Sequence, residues 1–205
     1  MRGRFVSFEG IDGAGKSTHI DHTAQWLRAR RLQVEVTREP GGTELAEAIR
    51  ELVLGRSMAP LTEALLVFAA RHDHVTRLIE PALAAGHWVV CDRFTDSSLA
   101  YQGAGRGLDP AVLAWLAQRV HGGLWPDRTY WFDLDPGQAS ARVHARAPAD
   151  RFEAEQQSFF ERVAAGFARI ADAEPGRVVR IDATASRELV AASIEQDLAD
   201  MLGAG

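Results

Sequence analysis

Nine consecutive residues near the start of the chain, Gly10-Ile11-Asp12-Gly13-Ala14-Gly15-Lys16-Ser17-Thr18, constrain the fold more than any other stretch. They follow G-x-x-x-x-G-K-[ST], a pattern that cradles phosphates where it joins a strand to a helix. Its glycines turn with positive φ and approach a phosphate with no Cβ in the way. Successive N–H groups then form an anion nest in front of the positive end of the next helix. Lys16 is placed to reach the terminal phosphates of a nucleotide such as ATP, and the Ser17 hydroxyl to hold Mg2+. The flanks agree, with the short apolar run Phe5–Glu9 before the loop and a helical pattern with Ile20, Ala24 and Leu27 on one face after it.

Lys16 is the only lysine, beside 22 arginines, and the chain has no asparagine. Where arginine serves every generic positive charge, a single lysine in this loop points to a need for a compact ammonium on a flexible stem. The same counts exclude a guanine-reading N-K-x-D segment, so a GTP-dependent switch protein is ruled out.

At 205 residues, 46% hydrophobic and 25% charged, the chain suits one globular domain. A net charge of −5 argues against a broad nucleic-acid surface, so phosphate recognition should be local. The lone cysteine, Cys91, sits in an apolar run and reads as an inert core residue. Met1-Arg2-Gly3-Arg4 leads straight into the first strand, and no signal peptide or membrane-spanning run is read, so a cytoplasmic location is expected.

Strands and helices alternate, the pattern of an α/β protein with a parallel sheet and helices on both faces. Strands are expected at Phe5–Glu9, Val34–Arg38, Trp88–Asp92, Thr129–Leu134 and Val178–Ile181. Helices are expected at Lys16–Arg30, Glu44–Leu54, Leu61–Ala85, Ser97–Tyr101, Pro110–His121, Pro136–Arg146, Ser158–Ala173 and Arg187–Leu202, with a kink or break at Pro81. In such sheets ligands bind beyond the carboxyl ends of the strands. Arg38 and Arg93 both follow strands at that edge, with Lys16. Together they exceed what one nucleotide triphosphate needs, which implies a second, phosphate-bearing substrate. Asp92 closes an apolar strand where a carboxylate partners Mg2+ in such sites. Farther on, Phe68 and Arg71 are three apart on a helix. Such a pair can stack a base and bond its carbonyl, though an aromatic on an apolar helix is more often core. His72 and His74 read as surface histidines.

The motifs converge on a family. Asp92-Arg93-Phe94-Thr95-Asp96-Ser97-Ser98-Leu99-Ala100-Tyr101-Gln102 resembles the signature of thymidylate kinases. Arg38-Glu39-Pro40-Gly41-Gly42-Thr43, Phe68-Ala69-Ala70-Arg71 and Asp182-Ala183-Thr184 resemble three further segments of that family. The resemblance covers essentially the whole chain. It implies a P-loop nucleoside monophosphate kinase fold with a five-stranded parallel sheet, transfer from ATP to dTMP with Mg2+, and a homodimer. By the same resemblance Phe68 would stack thymine and Arg71 bond its O4. Ser97, Ser98 and Gln102 would line the base and sugar pocket, with Tyr101 where a ribose 2′-OH would go. Arg38 and Arg93 would hold the dTMP phosphate. Glu9 would lie near the sugar 3′-OH and the metal, and Ala183 and Thr184 against adenine.

Some family members carry an arginine in the loop where this chain has Gly13. By the same resemblance, the subtype without it supplies arginines from a mobile lid, here expected at about 141–157, with Arg142, Arg146 and Arg151 as candidates. Arg146 is the first choice. Changing it to Ala should lower kcat with little change in KM, because an interaction confined to the transition state acts that way. Arginine fingers elsewhere supply about 10³–10⁵ in rate; a smaller loss is expected where neighbouring arginines substitute. Steady-state kinetics of the three single variants and the triple variant check this. A triple variant within a few fold of wild type would remove the lid from catalysis.

Overall fold

The computed structural model describes residues 2–139 and 157–203. Five short strands form one parallel sheet: β1 Phe5–Glu9, β2 Val34–Arg38, β3 Trp88–Asp92, β4 Arg128–Asp133 and β5 Val178–Asp182. Their spatial order is β2-β3-β1-β4-β5, the five-stranded parallel sheet expected from the alternating pattern. β1 is central and buried along its whole length. Phe8 pairs with Asp92 on one side and with Tyr130 on the other, which aligns the carboxyl ends of β1, β3 and β4.

The helices are α1 Lys16–Ala29, α2 Glu44–Gly55, α3 Pro60–His74, α4 Glu80–Ala84, α5 Thr95–Ser98, α6 Pro110–Val120, α7 Gln157–Ala173 and α8 Arg187–Gly203. Their starts carry the expected local chemistry. The Thr43 hydroxyl accepts from the Ala46 N–H at 3.2 Å and caps α2. Asp109 caps α6, and Pro110 follows at the first helical position, where no N–H is needed.

Two helical stretches differ from expectation. The segment from α3 to α4 does not break at Pro81; a π-helical turn, Val75–Ile79, joins the two helices. The Glu80 N–H bonds the Val75 carbonyl. Proline lacks an N–H and its ring crowds the carbonyl four residues back, so a widened turn just upstream keeps the helical path open. The short helix expected at Ser97–Tyr101 is longer: α5 runs into a second π-helical segment, Leu99–Gly105, which carries Tyr101 and Gln102. α7 lies close against this segment. A Cβ at Gly166 would stand 2.8 Å from the Ala104 Cβ, so glycine there permits the approach. Of the helix expected at Pro136–Arg146, residues 136–139 are helical and the rest lies outside the described residues, as do Arg142, Arg146 and Arg151.

The main core joins sheet residues Val6, Phe8, Val90 and Phe132 to Ile20, Ala24 and Leu27 of α1 and to Ile194 and Leu198 of α8. Cys91 lies in a second cluster with Phe5, Val89 and Phe94. Burial pushes its thiol up, in keeping with an inert core role. Among the described residues no helix is long and apolar enough to cross a membrane.

Candidate active site

The loop between β1 and α1 takes positive φ at Gly10, Gly13 and Gly15. A Cβ at Gly10 would stand 2.6 Å from the Phe132 carbonyl oxygen, so β4 leaves room there only for glycine. Lys16 is 6% exposed. Its Nζ donates to the carbonyls of Gly10 at 3.1 Å and Ile11 at 3.2 Å. Burial, and then the Arg93 charge, lower the pKa of the ammonium. An open cavity lies over this loop, bordered by Asp12 to His19, Asp92, Phe132, Ala183, Ser186 and Arg187. Ala183 borders this cavity and Thr184 does not. Its N–H and hydroxyl both bond Asp182 Oδ1, at 2.9 and 2.6 Å. His19, Ser186 and Arg187 were not anticipated; the late motif marked the right loop but stopped two residues short of Ser186.

Asp92 Oδ1 is buried and has no hydrogen-bond partner. Asp92 and the exposed Ser17 border the same cavity. An orphaned carboxylate oxygen near a free hydroxyl suits a hard cation bound beside phosphates. Glu9 lies close enough to Lys16 and Arg93 for its charge to act on both. It is fully buried and borders neither this cavity nor the next. One oxygen accepts from the Phe94 N–H at 2.7 Å and the other from the Ser97 hydroxyl at 2.5 Å. Burial, and then the nearby Asp96, push its carboxyl up to about 8.

A second cavity adjoins the first, and Asp12 borders both. Arg93, Arg71, Ser97, Ser98, Tyr101 and Gln102 line it. Arg93 adopts φ 71°. Its guanidinium donates to Gly10 O at 2.8 Å, Asp12 Oδ1 at 2.6 Å, Ser97 Oγ at 3.1 Å and the Tyr101 hydroxyl at 3.2 Å. Burial alone would raise the Asp12 carboxyl; Arg93 and then Lys16 overcome that and hold it at about 2. Arg71 is 1% exposed. It donates to Glu39 Oε2 at 2.6 Å, the Phe94 carbonyl at 3.1 Å and Ser98 Oγ at 3.0 Å. Its Nη1 has no partner.

Three expected residues stand elsewhere. Phe68 does not line the cavity; Val67 does. Phe68 packs with Ala64, Leu113, Leu116 and Ala117, and Arg71 Cζ lies 4.6 Å above its ring. Positions three and four before Arg71 both neighbour it on a helix, so spacing alone could not choose between them. Arg38 is 54% exposed and bonds Glu47 Oε2 at 2.9 Å, bordering a different hollow with Asp92 and Ser17. His74 is not on the surface. It is fully buried, with Nδ1 2.9 Å from Glu39 Oε1 and Nε2 2.7 Å from Thr37 Oγ1. His72 is exposed, as expected. Arg50 of α2, not anticipated, lines the cavity and donates to the Pro40 carbonyl at 3.0 Å. A signal was present: Arg50 sits three and four residues before Val53 and Leu54, which line the cavity with it. Burial, and then repulsion from Arg38 and Arg93, lower its pKa.

A phosphate nest on one side of Asp12, and on the other a cavity lined by Arg50, Arg71 and Arg93 with Ser97, Ser98 and Gln102, define a P-loop kinase of small phosphorylated acceptors. The family model described as Thymidylate kinase matches residues 8–194. The chain belongs to the thymidylate kinase family. It is 54% identical to the thymidylate kinase of Paracidovorax citrulli, covering 96% of this chain and 93% of that protein. With the thymidylate kinase of Cupriavidus metallidurans it shares 52% identity, covering 98% and 100%. The crystal structure of thymidylate kinase from Ehrlichia chaffeensis superposes with a TM-score of 0.79 at 33% identity, covering 97% of this chain and 99% of that one.

Arg50 supplies the prediction. A charge-assisted hydrogen bond contributes about 1.5–3 kcal/mol. Arg50→Ala should therefore raise the acceptor KM by about 10-fold or more and leave the ATP KM near wild type. Steady-state kinetics with each substrate varied checks this; an unchanged acceptor KM would exclude Arg50 from phosphate binding.

Proposed function

We propose that this chain transfers the γ-phosphoryl group of ATP to dTMP, giving ADP and dTDP. The observation that carries the choice of acceptor is Arg71 Nη1, a buried donor without a partner in a guanidinium that lines the cavity. It suits the C4 carbonyl of thymine. Cytosine would present amino donors at the same place.

Transfer then rests on positioning and charge stabilisation rather than covalent chemistry. The loop amides and Lys16 hold the donor phosphates. Arg93 and Arg50 grip the acceptor phosphate, and Arg38 joins them by releasing Glu47. Ser17 and Asp92 would hold Mg2+, which when bound neutralises phosphate charge. Tyr101, held from behind by the rings of Phe159 and Phe167 at 6.1 and 6.3 Å, fills the place of a ribose 2′-OH. The chain acts as a single cytoplasmic kinase domain, without nucleic-acid or membrane partners. A lid at about 141–157, largely outside the described residues, closes over the donor to keep water out. Coupled measurement of ADP release with dTMP, dCMP and AMP tests the reading, and a lack of preference for dTMP would refute it. Arg71→Ala should raise the dTMP KM and weaken the preference over dCMP. A preference kept within about twofold would mean that Arg71 does not read the base, since the lost bond should be worth about 1–3 kcal/mol.

The reading includes a homodimer. Leu45 and Leu52 of α2, Leu61 and Leu65 of α3 and Trp115 of α6 are 55%, 44%, 47%, 50% and 59% exposed. α3 packs against both α2 and α6, so these side chains sit on adjoining helices and suit burial against a second copy. Sedimentation velocity should give a dimer, and Leu65→Glu should shift it toward monomer. A monomeric wild type would refute this part.

A further inference from the structure

Gln102 borders the acceptor cavity and is 4% exposed. A primary amide has a donor end and an acceptor end, and the end that faces a ligand decides which base edge it can read. Here that choice is made from behind the cavity. Gln102 Nε2 donates to Glu63 Oε1 at 2.9 Å. Glu63 is fully buried, and its other oxygen stands 3.6 Å from Arg106 Nε, which supplies the countercharge. A carboxylate only accepts, so the amide nitrogen must turn toward it. Oε1 is the end left for the cavity. Glu63, Val67 and Arg71 follow one another at four-residue steps along α3, so one helical face fixes Gln102 and presents Arg71.

Gln102 and Arg71 thus both line the cavity, with Oε1 the amide end left for it and Arg71 Nη1 a buried donor without a partner. That pair complements an imide edge, a C4 carbonyl beside N3–H. An amidine edge in the same pose, an amino group beside a bare N3, would meet donor with donor and acceptor with acceptor. We propose that Glu63 is a specificity-determining positioning residue, which selects imide bases over amidine bases by holding the Gln102 amide with its oxygen toward the cavity. This rests on the reading of the cavity as the dTMP site.

Glu63→Gln tests it. The neutral amide can present either end to Gln102, so Gln102 is free to turn over. The ratio of kcat/KM for dTMP over dCMP should fall by about tenfold or more, through the acceptor KM, with the ATP KM unchanged. In the double variant Glu63→Gln with Gln102→Glu, the acceptor-only group faces the cavity and the new amide donates to it from behind. The ratio should return to within about threefold of wild type, a rescue that a merely structural role does not give. Where Glu63→Gln alone does not fold, the double variant decides: a ratio near wild type supports the proposal and a loss of about tenfold overturns it. If wild type prefers dTMP and Glu63→Gln keeps the full ratio, or loses efficiency on both acceptors equally, the role of Glu63 is overturned while the cavity reading stands. A wild type without that preference refutes the cavity reading itself.

Discussion

The site depends on one side chain, Arg93, just past the end of β3. Its N–H bonds the Phe8 carbonyl at 3.0 Å and extends the sheet by one step. The backbone then turns to φ 71°, a conformation that costs a non-glycine residue about 1–3 kcal/mol. The turn aims the guanidinium back across β1, where it bonds the phosphate loop at Gly10 O and Asp12 and the second π-helical segment at Tyr101. The Tyr101 ring lies 4.9 Å from its Cζ. One cation therefore ties donor loop to acceptor wall, and four hydrogen bonds offset the strained turn. An arginine finds these partners only because the parallel register brings β1 and β3 to the same edge.

Around Arg93 the electrostatics are deliberately one-sided over a short range. Arg38 and Arg93 both push down the pKa of Arg50, and Arg93 does the same to Lys16. Like charges held this close destabilise an empty site and are relieved when anions bind. Asp12 and Glu47 moderate the repulsion in the unliganded protein through their bonds to Arg93 and Arg38. A phosphate taking those guanidinium groups would exchange internal partners for ligand without building the site anew. A chain with a net charge of −5 can do this because the positive field is local.

The sheet, the phosphate loop and most of the lining of the second cavity were legible because each rests on a local pattern: short apolar runs, glycines before a lone lysine, and Asp92 to Gln102 read as one block. What was not legible depends on rotation about an axis or on a partner far along the chain. Val67 and Phe68 are equally good neighbours of Arg71 until packing against Leu113 and Leu116 turns Phe68 inward. Glu9 ends a strand as expected, but the Phe94 N–H and the Ser97 hydroxyl, more than eighty residues away, claim its oxygens. Arg38 is drawn off by Glu47. The polar face of His74 is explained only by Thr37 and Glu39, and no periodicity in α3 reveals them.

That last network shows how recognition is kept rigid. Thr37, His74, Glu39 and Arg71 form an unbroken hydrogen-bonded line, with both His74 ring nitrogens and both Glu39 oxygens engaged. Burial alone would raise the Glu39 carboxyl; Arg71 and then His74 hold it below the usual range. Buried polar groups tolerate few vacancies, since each unmade bond costs about 1–3 kcal/mol. Yet Arg71 Nη1 at the end of this line and Asp92 Oδ1 at the end of β3 are both left without partners. Bonds to Glu39, Phe94 and Ser98 fix the Arg71 guanidinium so that it cannot turn away to find one. An incomplete bond on a residue that lines a cavity is one a ligand can complete, and here one such atom is a donor and the other an acceptor. The first suits a carbonyl and the second a cation. The same sheet edge therefore carries both halves of the chemistry, with Arg93 between them.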